Sequence, residues 1–100
     1  MSLDRFIHFE RQIKPEILGQ VINEFLGTWT SAPAWDVDRY LINIPGTPNR
    51  DLYRKDRFIE VHIGTKNVYV ITRQADPLTN SIASGLAKFI SLNMNGRLEE

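Results

Sequence analysis

Apolar and polar residues alternate most cleanly between Arg57 and Arg73, where RFIEVHIGTKNVYVITR reads as two strands joined by a tight turn. Ile59, Val61 and Ile63 alternate with Phe58, Glu60 and His62; Val68, Val70 and Thr72 alternate with Tyr69, Ile71 and Arg73. A period of two, rich in β-branched and aromatic residues, is the mark of half-buried strands. A two-residue loop at Thr65-Lys66, or one shifted to Lys66-Asn67, keeps Ile59, Val61 and Ile63 on the same face as Val68, Val70 and Thr72. A slip of one residue would send one set to the wrong side, so the pattern selects the pairing.

The remaining elements fall around this hairpin. Asp4 to Arg11 predicts a first strand, with Ile7 and Phe9 on one side and Phe6, His8 and Glu10 on the other. Lys14-Pro15-Glu16 opens a helix over 15–26: proline loses nothing in the first turn, and Glu16 suits the positive end of the helix dipole. Ile17, Leu18, Val21, Ile22, Phe25 and Leu26 form its apolar stripe, and Gly27 stands where a left-handed cap is wanted. A loop of small residues over 28–34 leads to a strand at Trp35–Ile44, ended by Pro45-Gly46. PGTPNRDLYRKD, over 45–56, is a long polar connection with two prolines, of a length that in compact domains is often functional.

After the hairpin, Asp76-Pro77 starts a second helix, with the Asp carboxylate placed to cap freed N–H groups. Leu78, Ile82, Leu86, Phe89 and Ile90 form its stripe; Gly85 within it implies close approach to a neighbouring backbone, taken to be the sheet. Asn95-Gly96 stops the helix and 97–100 reads as a frayed end. The order β-α-β-β-β-α predicts an α+β fold: a four-stranded, mainly antiparallel sheet with two helices packed on one face, as a single domain over 1–100. That order resembles many small bacterial-type adaptor, immunity and chaperone-like domains, an analogy of fold that carries no function.

Composition narrows the classes. Twelve basic and twelve acidic residues give zero formal charge, which argues against a dedicated nucleic-acid binder. With no cysteine there is no disulfide framework, no thiolate nucleophile and no Cys-ligated zinc. No apolar run approaches the roughly 20 residues that cross a bilayer, and MSLDRFIHFER lacks the apolar core of a signal peptide. The expectation is a cytoplasmic protein without a membrane role, and nothing in the chain calls for a cofactor.

Two helices covering one side of the sheet leave the other side to be explained. That side would carry Phe6, His8 and Glu10, then Leu41 with Arg39 and Asn43, then Phe58, Glu60, His62, Tyr69, Ile71 and Arg73. Such a mixture of aromatic, aliphatic and charged groups suits an interface better than a solvated surface. The expected function is a non-catalytic interaction module that self-associates, as a homodimer, or binds a protein partner through this face. Its binding residues would be Phe6, Leu41, Phe58, Tyr69, Ile71 and Arg73, with Arg50 and Arg54 on the neighbouring loop. The alternatives are that the 45–56 loop folds across these side chains, that they are ordinary surface groups, or that they line a small-molecule pocket.

Two other chemistries compete. His8-x-Glu10 and Glu60-x-His62 each project both members to one side of a strand. If the two strands were neighbours, two imidazoles and two carboxylates would converge into a divalent-metal site or an acid–base set. Asp36-Val37-Asp38 lacks the glycine and further acids of a calcium loop, and Ser81 and Ser84 lack a G-x-S-x-G context. No complete catalytic set is present. Arg50, Arg54, Lys55 and Arg57, together with Phe6, Phe58 and Tyr69 as stacking platforms, offer single-stranded nucleic acid as a further alternative. Asp51 and Asp56 offset part of that charge, and the strand order differs from the RRM pattern.

Overall fold

Strands β4 (Phe58–Ile63) and β5 (Asn67–Arg73) pair antiparallel with Ile59 opposite Thr72, Val61 opposite Val70 and Ile63 opposite Val68. This is the register the alternation selects. The Gly64 N–H donates to the Asn67 carbonyl at 2.8 Å, closing the turn around Thr65 and Lys66. Ile59, Val61, Val68 and Val70 are fully buried, and each such side chain contributes about 1.5–3 kcal/mol over leaving it in water.

The computed structural model describes residues 2–26, 34–36, 39–43, 58–73 and 75–99. The expected cap at Gly27, the 45–56 loop and its basic residues Arg50 and Arg54 lie outside the described residues. Around the hairpin stand β1 (Ser2–His8), α1 (Pro15–Leu26), β2 (Ala34–Asp36), β3 (Arg39–Asn43), α2 (Pro77–Asn93) and β6 (Arg97–Glu99). The sheet order is β2-β3-β4-β5-β1-β6, with every neighbouring pair antiparallel. The fold is α+β, as the element order implies. Strands β3, β4, β5 and β1 form the four-stranded antiparallel centre, and two three-residue strands extend its edges.

Three expectations about the strands change. The first strand begins at Ser2 and ends at His8, short of Arg11. The strand expected over Trp35–Ile44 is two strands, β2 and β3, paired with Trp35 opposite Tyr40 and Asp36 opposite Arg39. The C-terminal residues expected to fray form β6, whose Leu98 stands opposite Ile7 of β1. Asn95, at φ 55°, and Gly96 turn the chain out of α2 into this strand. The Gly96 N–H donates to the Ser91 carbonyl at 2.9 Å, and the Ser91 hydroxyl donates to the Gly96 carbonyl at 2.8 Å. A Cβ at Gly96 would lie 2.6 Å from both Ile7 and Phe9 side-chain carbons, so the glycine lets the turn press onto β1.

Helix α1 has the bounds its sequence signals indicate, and it buries Leu18, Val21 and Ile22. Helix α2 starts where Asp76 accepts from the Thr79 N–H at 2.7 Å, with Pro77 in the first turn. It buries Ala83, Leu86, Ala87 and Ile90 against the same core that holds Ile7, Ile42, Ile59 and Val61. Gly85 serves a close approach, but to α1 and not to the sheet: a Cβ there would meet the Phe25 ring at 3.3 Å. Phe25 in turn packs on Phe89 with ring centroids 5.3 Å apart, joining the helices on one side of the sheet.

Among the described residues, one charged side chain points into this layered core. Arg5, only 8% exposed, has the parity of Ile7 and lies beneath α2. Its Nε donates to Ser84 Oγ at 3.0 Å and its Nη2 to the Asn80 carbonyl at 3.2 Å. A third donor reaches Thr72 Oγ1, which donates onward to Asn80 Oδ1 at 2.6 Å. A buried guanidinium is tolerated only when its N–H groups find acceptors in this way.

Candidate protein-interaction surface

Parity along three neighbouring strands places Asp4, Phe6 and His8 of β1, Tyr69, Ile71 and Arg73 of β5, and Phe58, Glu60 and His62 of β4 on the face opposite the helices. The register lines them up in rows. Phe6 stands opposite Tyr69 and Tyr69 opposite His62; Asp4 stands opposite Ile71 and Ile71 opposite Glu60. The Phe6 and Tyr69 rings meet edge to face, with centroids 5.0 Å apart and planes at 83°. Such a pair contributes about 0.5–1.5 kcal/mol beyond its buried area. Phe6, Phe58, Tyr69 and Ile71 are all half-buried, with no described helix on their side.

Several polar and charged groups on this face are engaged with one another. Arg73 Nε donates to Glu60 Oε2 at 2.5 Å, and His62 Nε2 lies 3.2 Å from Glu60 Oε1. Burial of the Glu60 side chain, 14% exposed, would raise its pKa; the hydrogen bonds and charges of Arg73 and His62 outweigh that and hold it below the ordinary value. The same contact, first as a hydrogen bond and then as a charge, raises the Arg73 pKa, with a smaller contribution from Asp4. At the other side of the face His8 Nε2 lies 2.8 Å from Glu99 Oε2, so β6 is tied to β1 by side chains as well as by backbone.

These positions bear directly on the residues singled out in the sequence. Phe6, Phe58, Tyr69, Ile71 and Arg73 come together on one face. Leu41 is fixed by its backbone register opposite Glu60, and its side chain lies outside what is described. The His8, Glu10, Glu60 and His62 set does not converge, because β5 lies between β1 and β4. Two strand spacings, about 10 Å, separate the two histidine-bearing strands. Glu10 lies past the end of β1 and is exposed. Among the described residues no three His, Cys, Asp or Glu side chains are grouped to hold a metal ion. Asp4, Arg97 and Glu99 are further polar neighbours of the face; parity with Phe6 already marks Asp4, whereas the other two depend on β6.

No described helix is long and apolar enough to cross a membrane. Comparison with known proteins gives no match among family models, curated proteins or solved structures.

Proposed function

We propose that the protein is a non-catalytic interaction module that docks through the outer face of its sheet, onto a second copy of itself or onto another protein. The observation that carries this reading is the Phe6–Tyr69 edge-to-face pair on that face, beside Ile71 and between the Arg73–Glu60–His62 cluster and the His8–Glu99 pair. Interfaces have this anatomy, with apolar and aromatic groups at the centre and polar groups at the rim. Tyr and Arg are also the side chains that most often anchor them. The Arg73–Glu60 pair within this face leaves less unpaired charge there to desolvate when the face is covered. The reading includes a cytoplasmic setting, in keeping with the cysteine-free composition.

The test is solution mass by size-exclusion chromatography with light scattering over a wide concentration range, followed by affinity capture if the chain is monomeric. Tyr69→Asp is expected to abolish the association so found while leaving the far-ultraviolet circular dichroism unchanged. Association that survives this change, or a chain that neither self-associates nor retains a partner, overturns the reading.

A further inference from the structure

A second surface, away from the sheet face, has the form of a ligand site. An open cavity of about 500 Å³ lies between the 9–14 connection with the first turn of α1 on one side and the C-terminal end of α2 on the other. Small-molecule sites commonly measure about 300–1,000 Å³. Its floor is apolar: Phe9, Ile13 and Met94 pack on the core, and Ile17 stands over it while 44% exposed. The connection that forms one wall is pinned, since the Phe9 and Ile13 N–H groups donate to the Lys66 and Thr65 carbonyls, each at 2.9 Å.

The rim gives the ligand its charge. Arg11 and Lys14 line the cavity, both exposed, and neither side chain forms a hydrogen bond or ion pair among the described residues. Glu10 is the acid on the same rim, which leaves one excess positive charge. The opposite wall, at Asn93 to Asn95, is the C-terminal end of α2, where the helix dipole is negative. An anion is therefore favoured on the Arg11 and Lys14 side and disfavoured on the α2 side, while the floor between them favours hydrocarbon. From this placement we propose that the cavity binds a small amphipathic monoanion, an apolar chain ending in a carboxylate, with its head at Arg11 and Lys14 and its tail over Phe9, Ile17 and Met94. This site is independent of the outer sheet face.

Isothermal titration with octanoate, compared with octanol and octylammonium, tests it. Octanoate is expected to bind at one per chain, with the neutral and cationic analogues several-fold weaker. Reversing both charges in an Arg11→Glu/Lys14→Glu variant turns two attractions into two repulsions and is expected to weaken octanoate about tenfold, with the melting temperature kept. Ile17→Asp should lower the affinity for octanoate and octanol alike, and Tyr69→Asp should leave both unchanged. Equal affinity for the three probes, unaltered binding by the double variant, or no saturable octanoate binding overturns the proposal. So does loss of binding in Tyr69→Asp, which would put the ligand on the sheet face.

Discussion

Arg5 of β1 and Ser84 of α2, 79 residues apart in sequence, are joined by a 3.0 Å hydrogen bond from Nε to Oγ beneath the helix. The same guanidinium serves Thr72 and the Asn80 carbonyl, so one side chain ties β1, β5 and α2 together. Arg5→Met keeps much of the apolar stem and removes every donor. It is expected to cost about 1–3 kcal/mol in urea unfolding, as for other buried hydrogen-bonded groups left without a partner. Ser84→Ala should cost less, and the double variant should show coupling of about 0.5–1.5 kcal/mol. Additive losses would mean that the bond contributes nothing of its own.

Gly96 is the tightest point of the α2–β6 turn. Gly96→Ala would set a methyl carbon 2.6 Å from Ile7 and Phe9 side chains, so the turn or those side chains must shift and the packing of the turn on β1 is loosened. A loss of about 1–3 kcal/mol is expected, as for other overpacked sites. Hydrogen exchange should show the protection of β6 amides falling before that of β4 and β5. Unchanged exchange at residues 97–99 would contradict this account.

Glu60 links stability to pH. Its carboxyl is held below its ordinary value in the folded protein, because Arg73 and His62 outweigh the cost of burial. A depressed carboxyl pKa stabilises the fold above the unfolded value and loses that contribution as pH falls through the folded one. Glu60→Gln should therefore lower the urea midpoint near about pH 7 and lower it progressively less as pH drops towards about pH 3. A gap between wild type and variant that widens on acidification would reverse the sign and exclude the mechanism.

The centre and the border of the outer face should differ in energetic weight. Phe6→Ala removes one half of the aromatic pair and is expected to weaken association by about 2 kcal/mol or more, the range of central anchors. His8→Ala touches only the exposed pair with Glu99 and should change it by less than about 1 kcal/mol. Concentration-dependent sedimentation reads both. Equal effects at the two positions would remove the distinction between centre and border.

Local signals carried much of this structure. Proline at the start of each helix, the Asp76 carboxylate and the period-two hairpin each act within a few residues, and they place α1, α2, β4 and β5 closely. What could not be read was set by partners distant in sequence. β6 is three residues, Arg97-Leu98-Glu99, too short to show a period, and is a strand because Ile7 lies opposite Leu98. The division of 34–43 into two strands has no glycine or proline to announce it. The His/Glu set depended on β1 and β4 being neighbours, and no local feature records that β5 separates them. Arg5 was legible by parity with Ile7, yet an arginine on an apolar face makes sense only once Ser84, Thr72 and Asn80 are seen around it.

The place of β1 between β5 and β6 also sets the order in which the chain can assemble. This strand is synthesised before the segments that flank it, yet its backbone partners are residues 67–73 and 97–99. The β4–β5 hairpin and α2 can form from near neighbours, whereas β1 must wait for nearly all of the described chain before both its edges are satisfied. Pairings across such spans carry a large loop-closure cost, which places refolding on the slower side for a domain of this size, roughly milliseconds to seconds. Until residues 97–99 arrive, one edge of β1 is an open template for strand pairing, and closing it is the work of a strand of only three residues, more than 80 positions further along the chain.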